Sequence, residues 1–187
     1  MSKEKVMSPA FRVAFPSVFR PKEFNGKKKY QVCMLFDKGE DLSVLKKLVK
    51  SCAEEKWGKM PKPFHSPFRD GDEEKDLEKY PSFTNTIFVT ASTNDSPDFP
   101  PPQVIDQKRQ PIIDESEFYA GCYARTILSV FAWEFQGKKG VSFNLGNVQK
   151  VKDGKRLGGR VDASDEFEEL PSDDDFDSND EFGDDDI

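Results

Sequence analysis

The stretch CYARTILSVFAWEF, Cys122 to Phe135, constrains the fold more than any other part of the chain. Tyr123, Arg125, Ile127, Ser129, Phe131, Trp133 and Phe135 fall on one side. Cys122, Ala124, Thr126, Leu128, Val130, Ala132 and Glu134 fall on the other. Alternation of this kind is the period of a β-strand, whose successive side chains point to opposite faces. It is the longest strand signal in the sequence and commits the chain to a mainly β fold. QGKKG (Gln136 to Gly140) then turns the chain into a further strand, VSFNLGNVQKV.

Upstream, AFRVAFPSVFR alternates Phe11, Val13 and Phe15 with Arg12 and Ala14, and Pro16, which lacks a ladder donor, implies a bend or an edge. Asn25-Gly26 supplies the positive φ angles of a tight hairpin into a second strand, Lys29 to Phe36. DLSVLKKLVKSCAEEKWG changes period. Leu42, Leu45, Leu48, Val49 and Cys52 share one helical face, with Asp41 as N-cap and Gly58 as terminator. Residues 59–81 carry four prolines and read as a long ordered loop. TIFVTAST (Thr86 to Thr93) is the third strand, followed by a Pro-rich extended segment over 94–111.

Five strands, one helix and long loops point to a five-stranded OB-fold barrel, with Phe11, Val13, Phe15, Phe88, Phe131 and Phe143 expected in its core. An OB barrel binds its ligand along one face, between its first hairpin loop and its last. Here both loops, KEFNGKKK and QGKKG, are rich in lysine.

The charge is divided. The chain holds 28 bases and 35 acids; 14 of those acids and no base follow Val161, so 28 bases meet 21 acids in the body. A body of +7 therefore precedes a tail of −14. Residues 1–161 form one nucleic-acid-binding domain, and residues 162–187 are too charged and too poor in apolar groups to fold. A basic body attracts polyanions, and a tethered acidic tail competes with them. Cys33, Cys52 and Cys122 have neither metal nor redox spacing and are expected reduced and buried. Phosphate-binding glycine loops, zinc spacings and nucleophile-elbow motifs are missing from the sequence. His65 is the only histidine. The expectation is a non-enzyme without metal or cofactor, soluble and intracellular, with no membrane partner.

Longer blocks add a resemblance. PFRDGDEEK (Pro67 to Lys75), KYP (Lys79 to Pro81), QPIIDESEFYAGCYAR (Gln110 to Arg125) and NVQKVKDGKRLGGR (Asn147 to Arg160) resemble a family of tailed-phage and prophage single-stranded-DNA-binding proteins. The resemblance implies an OB core, binding of single strands without sequence preference, no cofactor and a functional acidic C-terminus. The setting it implies is the cytoplasm of an infected or lysogenic bacterial host, during replication, recombination or repair.

Such binding needs a basic groove for phosphates and aromatic faces for bases. The basic candidates are Lys22, Lys27, Lys28, Lys29, Arg69, Arg125, Lys138, Lys139, Lys150, Lys152, Lys155, Arg156 and Arg160. The stacking candidates stand beside bases or polar residues: Tyr30, Phe68, Tyr119, Tyr123 and Trp133. In the tail, Phe167, Phe176, Phe182 and Ile187 are expected to anchor replication or recombination proteins. Duplex DNA and RNA are weaker expected ligands. Two other readings are an acidic DNA mimic or adaptor without DNA affinity, and a metal-dependent nuclease built on RDGDEEKD.

Overall fold

The computed structural model describes residues 4–157. Along the chain run β1 (Val6–Met7), β2 (Phe11–Phe24), β3 (Lys27–Asp37), α1 (Ser43–Trp57), β4 (Arg69–Asp70), a single turn α2 (Gly71–Glu74), β5 (Thr86–Asn94), β6 (Val104–Ile105), β7 (Tyr123–Phe135) and β8 (Lys138–Lys152). The five long strands pair in the cyclic order β2–β3–β5–β8–β7 and back to β2, where Phe11 faces Ala124 and Arg12 faces Tyr123. Every pairing in the ring is antiparallel except β5 with β8, where Ala91 faces Phe143 and Ser92 faces Asn144. This is the five-stranded OB barrel, and closure removes most of the free edges that an open sheet would expose. The three short strands are additions, β1 on β7, β4 on β5 and β6 on β8.

The barrel core follows the alternation. Ala124, Leu128 and Val130 of β7 are buried with Val32, Met34 and Phe36 of β3 and Val141, Phe143 and Leu145 of β8. Helix α1 lays Leu45, Leu48, Val49, Cys52 and Ala53 against β7 and β8. At its start the Asp41 carboxylate accepts the Ser43 N–H at 3.0 Å, one residue ahead of a true N-cap bond. At its end Gly58 adopts φ 76°, and its N–H reaches the Glu54 carbonyl at 2.7 Å. All three cysteines are buried and free.

Two core expectations are corrected. Phe131 is 42% exposed because it belongs to the outward set of β7, and apolar residues on both sides leave the inward side undecided by alternation alone. Phe15 is 47% exposed. Its φ is 45°, and the pairing of β2 with β3 slips between Ala14 and Ser17, around the donor-less Pro16. The irregularity turns the ring outward.

Residues 59–85 are more than a loop. They carry β4, α2 and a short 3₁₀ turn at Pro81–Phe83, and they build a second apolar cluster outside the barrel. There Ala14, Cys33, Leu35, Phe83 and Phe88 are buried, with Leu77, Tyr80 and Leu157 packed around them. The β2–β3–β5 wall thus has apolar residues on both faces, which is why KYQVCMLF lacks clean alternation. Each fully buried Phe of this layer contributes about 1.5–3 kcal/mol. The acidic run of the insertion is occupied in holding it down. Lys38 Nζ lies 2.6 Å from Asp72 and 3.0 Å from Asp70, and Arg69 lies 3.0 Å from Glu74.

Candidate nucleic-acid interface

Both hairpin tips have two central residues with positive φ, Asn25 (50°) and Gly26 (78°), then Gln136 (49°) and Gly137 (77°). That conformation belongs to the two-residue turn that follows the twist of paired strands. The first tip exposes Lys27 and Lys28, while Lys22 faces Lys29 across the ladder. Glu23, opposite Lys28, is one acid against the four lysines Lys22, Lys27, Lys28 and Lys29, so the arm stays net basic and suits an anion.

The outer wall of β2–β3–β5 is ordered in rungs. Arg12, Leu35 and Phe88 form one, and Ala14, Cys33 and Thr90 the next. Ser17, Gln31 and Ser92 form the third, and Lys22, Lys29 and Asn94 the fourth. Apart from Arg12, whose guanidinium is held by the Gly121 and Lys155 carbonyls, the wall grades from apolar, under the insertion, to polar and then basic. Burial pushes the Cys33 thiol up to about 11, so the wall presents no reactive thiolate.

At the apolar border stands a group that sequence reasoning missed. Lys75 Nζ lies over the rings of Phe83 and Phe88 at 5.3 Å each, Tyr80 at 5.6 Å and Phe15 at 5.9 Å. Lys79 lies 5.4 Å from the Tyr80 centroid, and Arg69 5.4 Å from that of Phe88. A signal was present, since Lys75, Lys79 and Tyr80 stand in the blocks PFRDGDEEK and KYP.

The residues named from sequence do not all converge on this wall. Lys22, Lys27, Lys28, Lys29 and Arg69 border it. Tyr30 is only 8% exposed, so its ring offers almost no face to a base. Phe68 is half-buried, edge-on to the core ring of Phe143 at 5.9 Å. At the second tip Lys138 is exposed and Lys139 lies 5.9 Å from the Trp57 ring. Trp133 is half-buried beside it, its Nε1–H donating to Ser142 at 3.0 Å and its ring 5.8 Å from that of His65.

The remaining candidates gather on β7 and β8 and on the segment that leaves β8. Lys152 Nζ sits 4.7 Å from the Tyr123 ring, and Arg125 donates to Gln149 at 2.9 Å. Lys150 is 8% exposed, with Nζ donating to the Glu117 carbonyl and the Asp153 carboxylate at 2.5 Å. That ammonium holds the Asp153 carboxyl below its ordinary range. Tyr119 is enclosed by Lys150 and Arg156, and the Lys155 carbonyl accepts from Arg12 Nη2 at 2.8 Å. Lys150, Tyr119 and Arg156 thus hold the exit segment in place. A Cβ on Gly121 would lie 2.0 Å from the Lys155 carbonyl oxygen, and one on Gly154 2.1 Å from that of Gly121, so the approach admits only glycine. The segment brings Leu157 back onto the second cluster of the β2–β3–β5 wall. Arg160, Phe167, Phe176, Phe182 and Ile187 lie outside the described residues.

Compared with known proteins, the sequence matches the family described as Enterobacter phage Enc34, ssDNA-binding protein, over residues 4–177. The chain belongs to that phage ssDNA-binding family. No curated protein sequence matches it. The single-stranded DNA-binding protein from bacteriophage Enc34 is similar in structure, with a TM-score of 0.66 at 21% identity, covering 88% of this chain and 90% of that one. The same phage protein in complex with ssDNA gives a TM-score of 0.68 at 20% identity over 82% and 89% of the two chains. Gp2.5, a single-stranded DNA-binding protein encoded by bacteriophage T7, gives 0.60 at 16% identity over 91% and 100%. At these identities the likeness establishes a shared fold. The family and these neighbours are described as ssDNA-binding proteins. Among the described residues of this chain no group of three or more His, Cys, Asp or Glu could hold a metal ion. No described helix is long and apolar enough to cross a membrane.

Proposed function

We propose that this chain binds single-stranded DNA without sequence preference along the outer wall of β2–β3–β5. The carrying observation is the graded wall itself, with polar rungs between a lysine-rich arm and an aromatic border, in a member of a phage ssDNA-binding family. Phosphates follow the lysines and bases lie on rings, the combination that makes binding tolerant of sequence. Duplex DNA and RNA are weaker ligands of the same wall. The role is to coat exposed strands in the cytoplasm of a bacterial host during replication, recombination or repair, with no chemistry catalysed.

The tail fits the same reading. Leu157, the last described residue, packs on the outer wall, and 14 acids follow Val161 in the sequence. Held there, the tail competes with the strand, and once displaced it offers Phe167, Phe176, Phe182 and Ile187 to partner proteins. The domain ends near Val161 on this account.

Fluorescence anisotropy with labelled oligothymidine, repeated at rising salt, tests the reading. The binding constant should fall steeply with salt, because each neutralised phosphate releases counterion. Binding that is absent at low salt, or flat across the titration, contradicts it.

A further inference from the structure

Phe15 combines three properties that folding alone does not require. Its backbone sits at φ 45°, a region that residues other than glycine seldom occupy. Its ring is 47% exposed although a buried aromatic cluster lies within reach. And the ring is held in place: Tyr80 meets it edge-on at 5.7 Å and 78°, and Phe83 supports it at 6.1 Å and 32°. The ring leans on the cluster, Lys75 Nζ stands over it, and about half of the residue remains open to solvent. Strained backbone that displays a supported side chain is a pattern of binding sites.

Charge is arranged around the same ring. Lys75 Nζ stands 5.9 Å from the Phe15 centroid and has no ion-pair partner among the described residues. Three acids of the same insertion are held elsewhere, Glu74 by Arg69, and Asp70 and Asp72 by Lys38. Lys79 stands beside Tyr80. An exposed aromatic ring beside an ammonium that rings hold and no described carboxylate pairs suits one nucleotide, with the base on the open part of the ring and its phosphate on the ammonium.

We infer that Phe15, braced by Tyr80 and Phe83 and flanked by Lys75, is a base-stacking platform of this protein. The inference rests on the single-strand reading above and adds a specific site to it. It also accounts for strand selectivity at that site. A paired base is stacked on both faces within a duplex and has none to offer, whereas an unpaired base can swing onto the ring.

The test uses the full chain and labelled oligothymidine at moderate salt. Phe15→Leu keeps an apolar side chain against Phe83 and Tyr80 but removes the π face. It should weaken binding roughly 5- to 150-fold, the change that a stacking contact of about 1–3 kcal/mol corresponds to. The slope with salt should stay the same, because no phosphate contact is lost. Phe15→Tyr should restore affinity, and Phe135→Leu, an exposed ring on β7, should leave it unchanged. An oligonucleotide with abasic sites should bind wild type and Phe15→Leu alike. Phe15→Trp supplies a measurement independent of the Leu variant's folding, since an indole stacked on thymine should lose fluorescence beyond the response of Trp57 and Trp133. If wild type binds oligothymidine while Phe15→Leu matches it and Phe15→Trp shows no added quenching, the platform is refuted and the binding reading survives. If wild type does not bind at all, both are overturned.

Discussion

The guanidinium of Arg156 lies 4.4 Å from the centroid of the Tyr119 ring, and the pair fastens the segment that leads into the acidic tail. The Tyr119 hydroxyl completes the clasp, 2.9 Å from the Gly154 carbonyl and accepting the Gly154 N–H at 3.2 Å. Tyr119→Phe removes these bonds and should destabilise the fold by about 1 kcal/mol. For a domain of this size that lowers Tm by about 2–4 °C. Thermal unfolding and strand affinity measured together separate the roles. A stacking residue would lose affinity and keep its Tm.

Lys27, Lys28 and Lys29 extend from the first hairpin tip, where surface substitution costs little stability. Their joint replacement by Ala should weaken all single-stranded sequences alike. If all three touch phosphate, the salt slope should flatten by about 2, given roughly 0.7 per phosphate on single strands. Affinity unchanged across sequences would move the DNA path off this arm.

Ending the chain at Val161 removes 14 negative charges and turns a −7 molecule into one of +7. The shortened protein should bind single strands more tightly and begin to hold duplex DNA, most clearly at low salt where attraction is least screened. Parallel anisotropy titrations of both forms check this. Equal affinities at every salt concentration would leave the tail as a recruitment arm only.

The insertion should respond to acid through Lys38. Its ammonium holds the Asp70 and Asp72 carboxyls below their ordinary value of 3.8. A depressed carboxyl pKa stabilises the fold fully above the unfolded value, and that support fades as pH falls through the folded value. Wild type should therefore exceed Lys38→Met in Tm at pH 6, and the gap should start to narrow near pH 3.8 and close as pH falls through the lower folded values. A gap independent of pH would point to packing of the lysine stem instead.

The parts of this fold that rest on local chemistry were legible in the sequence. Asn25-Gly26 marked the first hairpin, Gly58 the end of α1, and the alternation of Cys122 to Phe135 the longest β segment. What depends on distant partners was not. Phe131 and Val130 are equally apolar, and only barrel closure decides that Val130 turns inward. Phe88 was expected in the core and is buried, but under Phe83 and Tyr80 outside the barrel, because the Pro-rich insertion folds back over the wall. Lys150 read as one more free cation in a basic run. The return of Asp153 and the Glu117 carbonyl to its side makes it an anchor.

Single strands on this account lie on the β2–β3–β5 wall and not on the exposed rings of Phe99 and Phe131, which line a groove of about 600 Å³, or on the exposed ring of Phe135. Photocrosslinking of bound oligothymidine, with adducts located by mass spectrometry, distinguishes the wall from those rings directly. The account predicts adducts on Phe15, Tyr80 and the neighbouring lysines of the wall, lost when unlabelled strand competes. Adducts confined to Phe99, Phe131 and Phe135 would contradict it.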